Sequence, residues 1–362
     1  VNVLFILPYP IQAPSSRYRV YQYLPYLQAN GINITVSRFI DSDEFFKVLY
    51  QPRRTITKAA YFAKQTIRRF WDIGRSRGFD AVFVQREALP FGPAIVEQMI
   101  ARLGCPILYD FDDAIYLRRA SNANRWASWL KQPQKTAKII QASQHVIVGN
   151  QVLHEYASKY TKQITLIPSS IDAEFYQIRP PQCAAQKAQT HKPIVIGWVG
   201  SGTNLQYVAK LANVLRTLNA EHNIEVQIVG GTVEMAGVNV VCRPWRLENE
   251  LSDLQGFDIG IMPLADEPWT RGKGGFKAIQ YMGVGLPVVA SPVGINSEIV
   301  THDVTGFLAK SDEAWHRSLT TLITDAALRT TFGLAGRKRV EERYCTAVNG
   351  PKLLQVLQSV KL

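Results

Sequence analysis

Short apolar runs alternate with helical stretches along this chain, stop once near the middle, and start again, and that rhythm restricts the possible folds more than any single motif. Residues 1–7 form an apolar run suited to a strand buried on both faces. Residues 18–30 put Val20, Leu24 and Leu27 on one helical face and stop at Gly31, and Pro25 among them marks either a kink or a later helix start. Further strands are read at 32–37, 81–85, 106–110, 146–149 and 164–168, with helices at 93–103 and 151–159. Strands that alternate with helices imply a parallel, doubly wound sheet. Residues 173–193 break the pattern: Pro180, Pro181, Gln182, Gln186 and Gln189 follow Tyr176 with few large apolar side chains, the composition of a linker. The rhythm then resumes, with strands at 194–199, 224–229, 238–242, 259–263 and 287–290, helices at 205–218 and 277–282, and a mostly helical tail from 313.

The expected architecture is therefore α/β, with two Rossmann-like doubly wound domains: 1–172 and 194–345, a linker at 173–193, and a last helix at 346–362 that can return to the first domain. A length of 362 residues suits two domains. Ligands of open α/β sheets bind beyond the carboxyl ends of the strands, so two facing sheets would enclose a cleft lined by the residues just after each strand.

Composition narrows the partners. Hydrophobic residues at 46% and charged residues at 19% are ordinary for a soluble globular chain. No apolar run approaches the ~20 residues needed to span a bilayer. The first apolar run lacks a basic flank and reads as a strand, not a signal peptide, so the expected compartment is the cytoplasm. Cys105, Cys183, Cys242 and Cys345 lie far apart without metal or disulfide spacing. The net charge of +12 favours anionic partners. Zinc-finger spacing, an RNP-like strand and arginine-glycine tracts are all missing, so nucleic acid is not expected.

Two Gly-rich turns suit phosphate. Gly200, Ser201, Gly202, Thr203 and Asn204 follow one strand and precede a helix, where backbone N–H groups and a positive dipole end favour a diphosphate; the bland alternative is a tight, capped turn. Residues 271–294 are more specific. Gly272, Lys273, Gly274, Gly275, Phe276 and Lys277 open a short helix, and Gly285-Leu-Pro287 leads into a buried strand. The glycines let the backbone approach a ligand and the lysines would neutralise a diphosphate, unless the loop merely carries solvated lysines.

The run from Ile279 through Met282, Gly283, Gly285 and Pro287 to Ser291 resembles the retaining glycosyltransferases of the GT-B fold called glycosyl transferases group 1 (glycosyltransferase family 4-like). Pro168-Ser-Ser-Ile-Asp172, Glu298-Ile-Val and Thr305-Gly306-Phe307-Leu308 also match that family's pattern. The resemblance implies a nucleotide-sugar donor in the C-terminal half, a hexosyl group transferred with retention to a glycan or lipid-linked acceptor in polysaccharide biosynthesis, and no metal. A UDP-sugar, UDP-glucose or a close relative, is the favoured donor. The chain departs from the family signature: Gln280 stands at the second glutamate, which commonly meets the ribose, and Gly272 at the first. An amide carbonyl still accepts from a ribose hydroxyl. The family's Arg and Lys after the first C-terminal strand are also missing, and Lys273 and Lys277 are expected to supply that charge. Arg243 and Trp245, after another strand, should border the nucleobase, with a core role for Trp245 equally open.

In the N-terminal half, Asp110, Asp112 and Asp113 end a strand, where buried carboxylates are costly unless used. Asp112 is the catalytic candidate, beside Lys273 and Lys277. Helix capping at Asp112 or Asp113, and an Asp-x-Asp metal site, are the alternatives. Ser16, Arg17, Arg19, Arg86, Asp113 and Asn150 are the acceptor-side candidates, the arginines as anion holders. Residues 52–77, with Arg53, Arg54, Lys58, Lys64, Arg68, Arg69, Arg75 and Arg77 among Ile56, Phe62, Ile67, Phe70 and Trp71, suit either a peripheral membrane contact or a helix packed on its own domain. Beyond transfer, two other classes fit: an epimerase of the same fold and a non-catalytic nucleotide- or glycan-binding protein.

Overall fold

The computed structural model describes residues 1–44, 55–117, 132, 134–178 and 192–361. It divides into two units, Val1–Ser169 with Asn349–Leu362, and Ser170–Val348. In the first unit the apolar runs become β1 (Asn2–Leu7), β2 (Asn33–Arg38), β3 (Ala81–Gln85), β4 (Ile107–Phe111), β5 (His145–Val148) and β6 (Ile164–Leu166). They pair in parallel in the order β2-β1-β3-β4-β5-β6. Val3 to Leu7 and Ala81 to Val84 are fully buried, as expected of strands covered on both faces. Each buried Val, Leu, Ile or Phe side chain among them contributes about 1.5–3 kcal/mol of burial free energy.

Helices α1 (Pro14–Arg19), α2 (Leu24–Ala29), α3 (Thr55–Ser76), α4 (Ile95–Arg102), α5 (Lys135–Ala142) and α6 (Gln151–Ala157) connect these strands. The helix expected over 18–30 is split, with a 3-10 turn at Tyr21–Tyr23 between α1 and α2. Pro25 falls in the first turn of α2, where its missing N–H is harmless.

The second unit contains β7 (Ile194–Val199), β8 (Ile224–Val229), β9 (Val240–Arg243), β10 (Ile259–Met262), β11 (Val288–Ala290) and β12 (Gly306–Leu308), in the order β12-β11-β10-β7-β8-β9, all pairs parallel. Counted from β7 this is the doubly wound order with its reversal between β7 and β10, the place where ligands of such sheets bind. The reversal in the first sheet lies between β1 and β3. The helices here are α7 (Leu205–Ala209), α8 (Ala212–Glu221), α9 (Glu250–Gly256), α10 (Pro268–Arg271), α11 (Phe276–Gly283), α12 (Asn296–Ile299), α13 (Asp312–Thr324) and α14 (Ala326–Arg343), and the last helix, α15 (Thr346–Gln358), belongs from Asn349 onward to the first unit. Ile196, Trp198, Ile228 and Ile261 form the core with Leu215, Leu319 and Leu322. Leu353, Val356 and Leu357 of α15 pack in the core of the first unit with Phe5, Phe83 and Leu108.

The helix expected at 205–218 is broken, because Lys210 and Leu211 separate α7 from α8. Of the linker expected at 173–193, residues 179–191 lie outside the described residues, as do Arg53 and Arg54 of the basic stretch and Cys183. Among the described residues no helix is long and apolar enough to cross a membrane.

Candidate functional site

In the second unit the candidate donor residues gather where β7 ends. A Cβ on Gly200 would lie 2.7 Å from Lys277 Cε and 2.8 Å from the Trp198 ring. Glycine is thus what lets the Lys277 stem cross the turn. Lys277 Nζ sits 5.4 Å from the Trp198 ring centroid, within cation–π range. Lys273 Nζ donates to Asn204 Oδ1 at 3.2 Å. Asn204 Nδ2 in turn donates to Ser201 Oγ at 3.2 Å, and Ser201 Oγ lies 2.9 Å from Thr203 Oγ1. Gly200, Ser201, Gly202 and Asn204 therefore share one corner with both lysines.

The helix that points its positive end here is not the one expected. The turn at Gly202–Asn204 is 3-10 and α7 after it has only five residues, so its dipole is small. The longer α11 opens at Gly275, whose φ of +64° is left-handed and whose Cβ would come 2.2 Å from Ile299 Cδ1. Only glycine meets both demands. Gly274 and Phe276 flank it, each partly buried. From within α11 the Tyr281 hydroxyl accepts from Val199 N at 3.0 Å and pins the helix to the end of β7. Burial pushes the Tyr281 phenol above its ordinary pKa, so it stays neutral.

Gln280 is 4% exposed, and its Nε2 donates to the Tyr176 hydroxyl at 3.1 Å. Tyr176 donates to Glu250 Oε1. Trp245 Nε1 donates to the other carboxylate oxygen, Oε2, at 3.1 Å. One buried acid at the start of α9 thus holds both the ribose candidate, through Tyr176, and the nucleobase candidate. Trp245 is only partly buried. Its Cβ lies near Gly230, which follows β8 at a φ of +94° and would itself strike Gly200 O at 2.2 Å if it carried a Cβ. Arg243 closes β9 half-exposed, 3.8 Å from Asp253. Glu250 and Tyr176 escaped the sequence reading. Glu250 lies in a charged run that resembles surface, and Tyr176 at the edge of the apparent linker.

In the first unit the strand-end residues form an acid–arginine cluster. Gln85 accepts from Ser16 Oγ at 2.7 Å and donates to Ser15 Oγ at 2.9 Å. Arg86 follows with φ of 60°, a left-handed conformation costing a non-glycine residue about 1–3 kcal/mol. Its Nη1 meets Asp113 Oδ2 at 3.0 Å and Asp112 Oδ1 at 3.5 Å. Desolvation and then the neighbouring Asp113 charge raise the Asp112 pKa to about 6, against the pull of Arg86 and Arg19.

Four of the acceptor-side candidates turn their polar groups into the fold. Arg19 is 4% exposed, with Nε and Nη2 on Asp110 and Nη1 donating to Ile167 O at 2.7 Å, so its fork ties β4 to the chain after β6 instead of facing an anion. Arg17 lies over the Tyr18 ring at 4.5 Å and donates to Tyr18 Oη at 2.7 Å, largely buried. Ser16 is wholly buried by its bond to Gln85. Asn150 is the cap of α6, accepting from Leu153 N at 3.0 Å, at 2% exposure. Capping thus falls to Asn150 and not to Asp112 or Asp113, which lead into a turn. The three strand-end acids do not converge: Asp110 faces Arg19 while Asp112 and Asp113 face Arg86. Arg86, Asp112 and Asp113 remain partly accessible.

Residues 193–325 match the family model described as Glycosyl transferases group 1. The human alpha-1,3/1,6-mannosyltransferase ALG2 is 35% identical over 71 residues, a match that spans 19% of this chain and 17% of that relative's length. Similarity to solved structures extends over the whole chain. Sucrose-phosphate synthase from Thermosynechococcus elongatus superposes with a TM-score of 0.71 at 16% identity, covering 99% of this chain and 98% of that one. Anabaena HepE (Alr3699), solved with UDP and glucose, gives 0.72 at 16% identity with 99% of each chain covered.

Proposed function

We propose that this chain, whose residues 193–325 match the glycosyl transferases group 1 model and whose fold is GT-B, is a retaining glycosyltransferase. It moves a glucose-like hexosyl group from a UDP-sugar to a glycan or lipid-linked acceptor in polysaccharide assembly, in the cytoplasm. The observation that carries this reading is the meeting of Lys273 and Lys277 with the Gly200–Asn204 turn at the sheet's reversal point. HepE has been solved with UDP-glucose as well as UDP, which supports that donor class.

As the bond from the anomeric carbon to the diphosphate oxygen breaks, negative charge gathers on the leaving diphosphate. Lys273, Lys277 and the positive end of α11 would stabilise it where it develops. Gln280 and Trp245, positioned through Glu250, would border the ribose and the base. Asp112 and Arg86 would orient the acceptor hydroxyl.

Incubation with a panel of UDP-, GDP- and ADP-sugars, with and without acceptor glycans, tests the reading. Nucleotide release that depends on acceptor supports transfer. An epimerised sugar without acceptor would replace it with the epimerase reading. Binding without release would favour a non-catalytic binder, the reading that the replaced glutamates at Gly272 and Gln280 support.

A further inference from the structure

Helix α3 carries a second apolar stripe, turned to solvent, that a helix packed only on its own domain does not need. Its inner face is mixed: Gln65, Arg69, Asp72 and Ser76 are buried there beside Ile73, and Phe62 packs on Phe39 and Phe91. Arg69 donates to Ala88 O at 2.9 Å, to Ser37 Oγ at 2.7 Å and to Asp72 Oδ2 at 3.0 Å, and also reaches Leu7 O. That network already docks the helix, at the ends of β1 and β2. The outer face is apolar: Ile56 is 86% exposed, Ile67 61%, Phe70 45% and Trp71 72%. With exposed Ala60, Ala63 and Gly74 these recur every three to four residues and make a stripe about 100° wide. Ile67, Phe70, Trp71, Gly74 and Arg75 line a hollow of about 520 Å³ on it.

Charge identifies the partner. Lys64, Arg68 and Arg75 border the stripe on one side and are exposed, while the one acid of the helix, Asp72, is buried. Arg75 lies 3.8 Å from Asp72 Oδ1 and Arg68 3.3 Å from Asp41 Oδ1. Asp72 itself is buried, however, so the exposed face of the helix offers cations and apolar side chains, on a chain of net charge +12. Protein interfaces deplete lysine at their cores, and nucleic acid has no use for an aliphatic stripe. A bilayer interface uses both, with tryptophan at headgroup depth and basic residues against anionic lipid. We propose that the outer face of α3 lies flat on an anionic bilayer surface, with Ile56, Ile67, Phe70 and Trp71 immersed and Lys64 and Arg75 at the headgroups. This stands on α3 alone and does not depend on the donor chemistry.

Co-sedimentation of the full chain with phosphatidylcholine vesicles, and with vesicles enriched in phosphatidylglycerol, tests it. The chain should bind the anionic vesicles and bind less as salt rises. Brominated acyl chains should quench its fluorescence, and that quenching should be lost in Trp71→Phe. The pair Ile67→Ser with Trp71→Ser should lower binding on the order of ten-fold, and Lys64→Glu with Arg75→Glu should lower it on anionic vesicles only. Circular dichroism and donor-nucleotide affinity should be unchanged in both. Failure to bind either vesicle, or binding undiminished by the serine pair, would overturn the proposal. Loss of nucleotide affinity with vesicle binding intact would count against the donor reading and not this one.

Discussion

The two sheets reverse their winding at equivalent places, yet the clusters there differ in kind. At the end of β7, Lys273 donates to the Asn204 amide oxygen and Lys277 lies beside the Trp198 ring. At the ends of β3 and β4 the cations meet acids: Arg86 faces Asp112 and Asp113, and Arg19 faces Asp110. Carboxylate partners spend much of the arginines' charge within the fold, whereas the two lysines sit against a Gly-rich turn. The C-terminal corner gathers lysines and glycines, the arrangement on which the proposed donor site rests. The N-terminal one is shaped to hold groups in position, with partly exposed acids available to a hydroxyl.

If that contrast governs function, the largest effect belongs to the lysines. Replacing both in Lys273→Ala/Lys277→Ala should lower kcat/KM on the order of 10²–10³-fold, since one well-placed donor to a developing oxyanion is worth about that much. Steady-state kinetics with UDP-sugar would show it. Unchanged turnover and donor affinity would break the comparison, because the cationic corner would then be surface charge.

Glu250 sharpens the comparison, being a buried acid inside the C-terminal corner that accepts from two neutral donors. Glu250→Ala leaves the Tyr176 hydroxyl and Trp245 Nε1 short of an acceptor in a buried site. At ~1–3 kcal/mol for each orphaned group, partly relieved by water, a loss of about 2–3 kcal/mol is expected in chemical denaturation. Nucleotide affinity should fall with it, and Glu250→Gln should recover much of both. Full stability in the alanine variant would show that the network is not holding Gln280 and Trp245.

The parts of this picture legible beforehand were those with a local signature. Strands at 81–85, 194–199 and 224–229 agree with the structure residue for residue, because a continuous apolar run bounded by turns has few other uses. β12 has three residues and begins with Gly306, too little for a pattern to register. The lysines and the glycines of the donor corner stood out because only special backbone or charge demands place them together. Glu250 and Tyr176 could not, since Tyr176 lies 74 residues from Glu250 and 104 from Gln280. Arg19 and Asn150 show the opposite failure. A polar residue after a strand reads alike whether it turns to a ligand or back into the fold, and here both turn back.

The smallest expected effect tests the N-terminal side. Asp112 has a pKa raised to about 6, from an ordinary value of 3.8, by desolvation and by Asp113. The folded state therefore holds a proton that the unfolded chain has released, and stability from this group is present below about pH 4 and lost as pH rises toward 6. With the carboxyl 15% exposed, the loss is on the order of 1–2 kcal/mol once solvent screening is allowed for. Urea denaturation across this range should show that decline, and Asp112→Asn should flatten it. The same residue gives activity the opposite slope: if ionised Asp112 orients the acceptor, kcat/KM rises with an apparent pKa near 6 and the limb disappears in Asp112→Asn. A variant that flattens the stability profile and leaves the activity limb in place would reduce the Arg86 cluster to a structural clasp, and the comparison would become one between a site and a scaffold.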